Sequence, residues 1–204
     1  MTVQTSTIVM AILAVVIGAV FFAFERGKPR AWELVIIAQM SALAISARAI
    51  FSFVPYFNPV LALIMLSGAS LGAKKGFMTG ALTAFGSNFI FGQGPWTLYQ
   101  MVSWGSAGAI FGLLALSGVI RRSDWRRRDY AAAAVCAALS IVLITGPLAD
   151  LSGVFMFGVT DAKGLFALLA GGFVLNVTLA ASTVITLLLC ARPLLFALSR
   201  VVTP

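Results

Sequence analysis

Residues 68–101 read GASLGAKKGFMTGALTAFGSNFIFGQGPWTLYQM, and the way this stretch is understood decides the fold. Its first nine residues superficially look like a phosphate-binding loop, but the Gly-Lys-Ser/Thr tail that would hold phosphates and magnesium is missing. The glycines at 68, 72, 76 and 80 recur every fourth residue, and small residues at that spacing let helix backbones approach closely. The stretch therefore reads as a helical hairpin, followed by a polar and aromatic turn, GQGPW (92–96), that leads into another long apolar segment.

Composition names the solvent. Of 204 residues, 61% are hydrophobic and 10% charged, with a mean hydropathy of +1.05, whereas a soluble domain carries roughly 25% charged residues. A helix crosses the hydrocarbon core with about 20 mostly apolar residues. Working outward from the hairpin, seven such segments are expected: Ser6–Phe24, Trp32–Val54, Asn58–Leu71, Gly76–Phe91, Leu98–Ile120, Tyr130–Leu148 and Gly164–Cys190. The third is short and opens with Asn58-Pro59, a capping residue followed by a proline suited to the first helical turn. The connections are short, so the chain is expected to be all-α, one polytopic membrane bundle without a soluble domain. No Lys or Arg precedes Arg26, so the first segment lacks the basic region of a signal peptide and reads as a membrane helix.

Charge orients the bundle, because short loops rich in Lys and Arg stay cytoplasmic. Arg26, Lys28 and Arg30, then Lys74 and Lys75, then Arg121, Arg122 and Arg126–Arg128, then Arg192 and Arg200 follow alternate segments. These are twelve of the fourteen basic residues. Only Lys163 falls on the other side, and Arg48 lies inside a helix. The N-terminus is thus expected outside and the C-terminus in the cytoplasm. The formal charge of +8 reads as topology and contact with anionic lipid, with no nucleic acid required. GQGPW, PYF (55–57) and the longer 149–163 connection face outward.

The chemistry available is narrow. There is no histidine, which removes imidazole metal ligands and histidine-dependent catalysis. Cys136 and Cys190 fall within helices, where packing is their expected role. No catalytic residue, metal site or cofactor is assigned. Polar groups inside the bundle are the remaining signal, since each is expensive in lipid. Arg48 lies about seven residues from the outer end of its helix, about 10 Å deep. It either enters a binding site or snorkels to the interface. Trp96, Gln100 and Trp104 fall on one helical stripe descending from the outer turn, with either a ligand-facing wall or an interfacial belt as its reading. Asn88 lies at similar depth. Gln93 and Tyr99 complete the candidate substrate-binding set.

Two strings carry a resemblance: AQMSALAISARAIFSFVPYFNPV (38–60) and residues 68–101 with SNFIFGQGPW at their centre. Over about residues 31–118 the chain resembles the substrate-binding S component of energy-coupling factor (ECF) vitamin transporters. The resemblance implies a six-helix substrate-binding domain, residues 31–204, preceded in this chain by an additional transmembrane helix and basic loop in residues 1–30. It implies a multi-pass protein of the bacterial cell membrane that captures a vitamin from outside. Its partners would be a transmembrane coupling protein and two cytoplasmic ATPase subunits. The family's AxxxA pattern, which packs on the coupling protein, corresponds here to Ala38 and Ala42, extended by Ser46. The variants with SNFIFGQGPWT and an added helix resemble those for cobalamin or its precursors, while an amide- and aromatic-lined pocket also suits riboflavin or another heteroaromatic vitamin. A membrane enzyme would need a catalytic pair that is not found. A stand-alone secondary transporter would favour inverted repeats and mid-membrane charges, and neither is seen.

Overall fold

The computed structural model describes residues 3–55, 57–159 and 161–202, with side chains for 7–55, 57–159 and 161–201. Tyr56 and Thr160, each part of an expected outer connection, lie outside the described residues, as do the terminal residues 1, 2, 203 and 204. Among the described residues there are helices and no strand: α1 (Val3–Arg26), α2 (Ala31–Phe51), α3 (Val60–Leu71), α4 (Ala73–Phe91), α5 (Trp96–Leu116), α6 (Arg127–Ser140), α7 (Gly146–Asp150), α8 (Ser152–Met156) and α9 (Ala162–Val202). Five helical stretches are long and apolar enough to cross a membrane: those beginning at Thr7, Ala31, Trp96, Arg127 and Ala162. The chain is an all-helical, multi-pass membrane bundle. α3 and α4 fall outside that set, α3 because it has only 12 residues.

The short α3 is the hub. All twelve of its residues are buried, and it packs against α2, α4, α5 and α9. Asn58 was expected as its cap and Pro59 as its first residue; the helix instead starts at Val60 with Pro59 in the cap position, and Asn58 Oδ1 accepts from the Val60 amide at 3.1 Å. Such a helix need not span the bilayer, because protein rather than lipid surrounds it.

Glycine sets the distance between α3, α4 and α5. A Cβ at Gly76 would sit 2.6 Å from the Gly108 carbonyl oxygen, and one at Gly68 or Gly80 would strike the α5 backbone at Gly108 or Trp104. Gly72 serves differently. It has open space around it and a φ of +94°, so it turns the chain between α3 and α4 in a conformation that L side chains rarely adopt. Gly105, Gly108 and Gly112 supply the facing surface on α5.

Two expected helices differ. The segment Tyr130–Leu148 is not one regular helix: after α6 the chain widens into a π-turn, Ile141–Thr145, directly before Gly146 and Pro147. Proline has no amide hydrogen and its ring crowds the carbonyl four residues back, which the wider turn accommodates. The Ser103 hydroxyl donates to the Thr145 carbonyl in this turn at 2.6 Å. The last helix does not stop at Cys190 but runs for 41 residues through Pro193.

The basic connections gather at one end. Lys75 of α4 pairs with Glu33 of α2 and lies 5.5 Å from the Trp32 ring. The Ser70 hydroxyl donates to the Arg122 carbonyl at 3.2 Å, and Leu198 packs with Leu71 and Ile36. α1 leans on α4 and α5 and buries little more than Ile17 and Phe24.

Candidate functional site

At the other end of the bundle, one arginine organises three helices. Arg48 of α2 donates from Nη1 to Ser87 Oγ and, at 2.9 Å, to Asn88 Oδ1, both on α4. Asn88, only 1% exposed, donates from Nδ2 to Gln100 Oε1 at 2.7 Å and to Thr97 Oγ1 at 3.1 Å on α5. The Thr97 hydroxyl donates to Gln93 Oε1 at 2.8 Å, and Gln93 Nε2 donates to the Phe85 carbonyl at 2.9 Å. The guanidinium carbon lies 4.4 Å from the Phe91 ring centroid and 5.0 Å from that of Trp104.

Arg48 therefore turns into the bundle instead of snorkelling. α2 ends at Phe51, short of the expected Val54, so Arg48 lies in its last turn, about 5 Å from the helix end and not about 10 Å. The cost of about 2.5–3.5 kcal/mol for an arginine at a helix centre is therefore an upper bound here. A hydrogen bond to a charged group returns about 1.5–3 kcal/mol, and a ring face adds about 0.5–2 kcal/mol. Two such bonds and two rings are enough to hold the cation without a carboxylate. None pairs with it among the described residues.

The same guanidinium opens on a cleft of about 370 Å³. Its wall is made by Phe51 and Ser52 at the end of α2, Phe57 and Asn58 before α3, Phe91 of α4, and Leu175, Thr178 and Leu179 of α9. No acidic residue lines it. Nη1 is occupied by Ser87 and Asn88, while Nε and Nη2 have no acceptor among the described residues, so three of the five guanidinium donors remain for a ligand.

The expected site residues divide into groups. Arg48 lines the cleft. Asn88, Gln100 and Gln93 form the network behind it. Trp104, 7% exposed, lies beneath the guanidinium. Tyr99 is buried away from the cleft. Trp96 is half-buried, with its Nε1 donating to the Gly92 carbonyl at 3.3 Å. The stripe Trp96, Gln100, Trp104 is thus not a wall facing Arg48 across a pocket; that wall is α9. Ser87, Thr97, Phe57, Phe91 and the α9 residues were not anticipated. Asn58 was read only as a cap, although its amide also donates to Ser182 Oγ on α9 at 2.7 Å. Ala38, Ala42 and Ser46 are all exposed on one face of α2 and take no part in this network.

Compared with known proteins, the chain matches no family model, no curated protein and no solved structure. Fold and composition define its class, a polytopic helical membrane protein with a small polar-anchored cleft at the end opposite its basic loops.

Proposed function

We propose that this chain is the membrane-embedded S component of an ECF-type transporter, capturing a vitamin from outside for ATP-driven uptake by a coupling protein and two ATPase subunits. The observation that carries the reading is Arg48: a cation held from behind by Ser87 and Asn88, stacked on two rings, with unused donors in an aromatic cleft. Such a site binds a flat heteroaromatic ligand that presents an acceptor or anionic group, the rings supplying contact area and the guanidinium orientation. The cleft lies at the low end of the roughly 300–1,000 Å³ typical of small-molecule sites. It suits a cobalamin precursor or a vitamin of riboflavin's size, and intact cobalamin would enter only in part.

Two further features support the reading. The exposed α2 face with Ala38, Ala42 and Ser46 is small-residued and uncovered, as a surface for a coupling protein must be. α1 packs on α4 and α5 instead, so the additional helix leaves that face free. Native mass spectrometry of the purified protein tests the proposal directly. A co-purifying heteroaromatic ligand, lost in Arg48→Ala, is expected. Ligand-dependent transport by the chain alone in liposomes, without coupling protein or ATPases, would overturn it.

A further inference from the structure

The larger cleft is at the basic end. It measures about 560 Å³ and lies between the turn after α5 and the last turns of α9. Two opposite charges line it, Asp124 and Arg192, and neither has a hydrogen-bonding or ionic partner among the described residues. Asp129 is engaged elsewhere, whereas Arg200 lies at the rim of the cleft through Phe196. Asp129 accepts from the Arg121 and Arg126 amides at 3.1 and 2.8 Å, and the Arg200 guanidinium lies 4.2 Å from the Phe196 ring. Asp124 sits at φ +51°, a left-handed conformation that aspartate tolerates better than most residues. Trp125 closes the cleft from within, its Nε1 donating to the Arg121 carbonyl at 2.7 Å.

An acid and a base that share a cleft without meeting match a ligand carrying both charges. The hydroxyl of Ser123 and the apolar surfaces of Pro193, Leu195 and Phe196 line the same space. Phe196 is 57% exposed, and Arg192 follows the last apolar run, where basic residues meet lipid headgroups. We propose that this cleft binds the headgroup of phosphatidylethanolamine, with its phosphate on Arg192, its ammonium on Asp124 and the start of an acyl chain along Pro193 and Phe196. The guanidinium donates to two phosphate oxygens at once, and the ammonium has three hydrogens to give. A purely anionic headgroup would satisfy Arg192 but leave Asp124 without a partner. A choline headgroup has no N–H to donate.

Lipid retention tests the assignment. The purified full chain would be placed in nanodiscs containing equal phosphatidylethanolamine, phosphatidylglycerol and phosphatidylcholine, and the lipids kept on release would be counted by native mass spectrometry. Exposed charge pairs are weak, so the expected preference for phosphatidylethanolamine is about threefold to fivefold. Asp124→Asn should remove its advantage over phosphatidylglycerol, and Arg192→Gln should lower retention of both. Both residues are exposed, so the variants should fold. Equal or better retention of phosphatidylglycerol or phosphatidylcholine by the unaltered chain would overturn the assignment, as would retention of no lipid or an Asp124→Asn variant that behaves like the parent.

Discussion

Asn88 accepts from one helix and donates to another, so a single amide ties α2, α4 and α5 together. Replacing it with leucine leaves Gln100 and part of Arg48 without partners in a buried setting, at about 1–3 kcal/mol for each unsatisfied group. Thermal unfolding in detergent should register this as a clear drop in Tm. Asn88→Asp is the more informative change. A carboxylate beside Arg48 keeps the guanidinium satisfied but cancels the charge that the cleft presents, and Gln100 keeps a partner by turning its amide nitrogen toward the new acceptor. The protein should stay folded and lose at least tenfold affinity for an acceptor-bearing ligand by calorimetry; unchanged affinity would mean that Arg48 does not meet the ligand. Trp104 and Trp96 also separate. Trp104→Ala removes a ring from the core, at about 3–5 kcal/mol, whereas Trp96→Ala, at a half-buried position, should stay within about 1 kcal/mol. Arg48 and Asn88 were legible because a charge and an amide in an apolar helix demand partners. Ser87 and Thr97 were not, since hydroxyls inside helices commonly bond their own backbone, and Ser87 does so as well, donating to the Ala84 carbonyl at 3.2 Å.

Among the helices, contact distance decides what each face tolerates. Gly108→Ala would drive a methyl into the Gly76 backbone, where no side chain can swing away, and overpacking of this kind costs about 1–3 kcal/mol or more. Gly18→Ala on α1 meets nothing within 4 Å and should stabilise by about 0.5–1 kcal/mol through helix propensity alone. Unfolding midpoints that fail to separate these two variants would show that α4 and α5 do not meet as closely as described. Ala38→Leu with Ala42→Leu enlarges an exposed face. Co-purification with a coupling protein should be lost while ligand binding survives, and loss of both would place that face inside the folded protein. The four-residue spacing made Gly68, Gly76 and Gly80 legible, but Gly105, Gly108 and Gly112 are spaced three and then four apart and show no such repeat. Pro147 signalled a break in the sixth expected segment but not its form, and the run of the last helix through Pro193 was not signalled at all. Ile141–Thr145 is uniformly apolar apart from Thr145, and proline ordinarily ends a helix, which Pro193 does not.

For the molecule as a whole, gathering the basic connections at one end makes orientation a single yes-or-no property. In intact cells, a Ser123→Cys variant should resist a membrane-impermeant thiol reagent and react once the membrane is opened; labelling from outside would invert the whole arrangement. α1 contributes so little buried surface that a chain beginning at residue 31 should still fold, keep its cleft and bind ligand within about threefold of the full chain. α9 behaves differently. Its 41 residues make a rod about 60 Å long, roughly twice the thickness of the hydrocarbon core. Leu175, Thr178 and Leu179, just before its midpoint, wall the Arg48 cleft, and its late turns, from Arg192, wall the cleft of Asp124. A lean of about 10° about the midpoint of this helix moves its wall of the Arg48 cleft by about 1 Å and its wall of the Asp124 cleft by about 4 Å, in opposite directions. One continuous helix is therefore a wall of both clefts, and a shift at the Asp124 cleft reaches the Arg48 cleft reduced by about a factor of three.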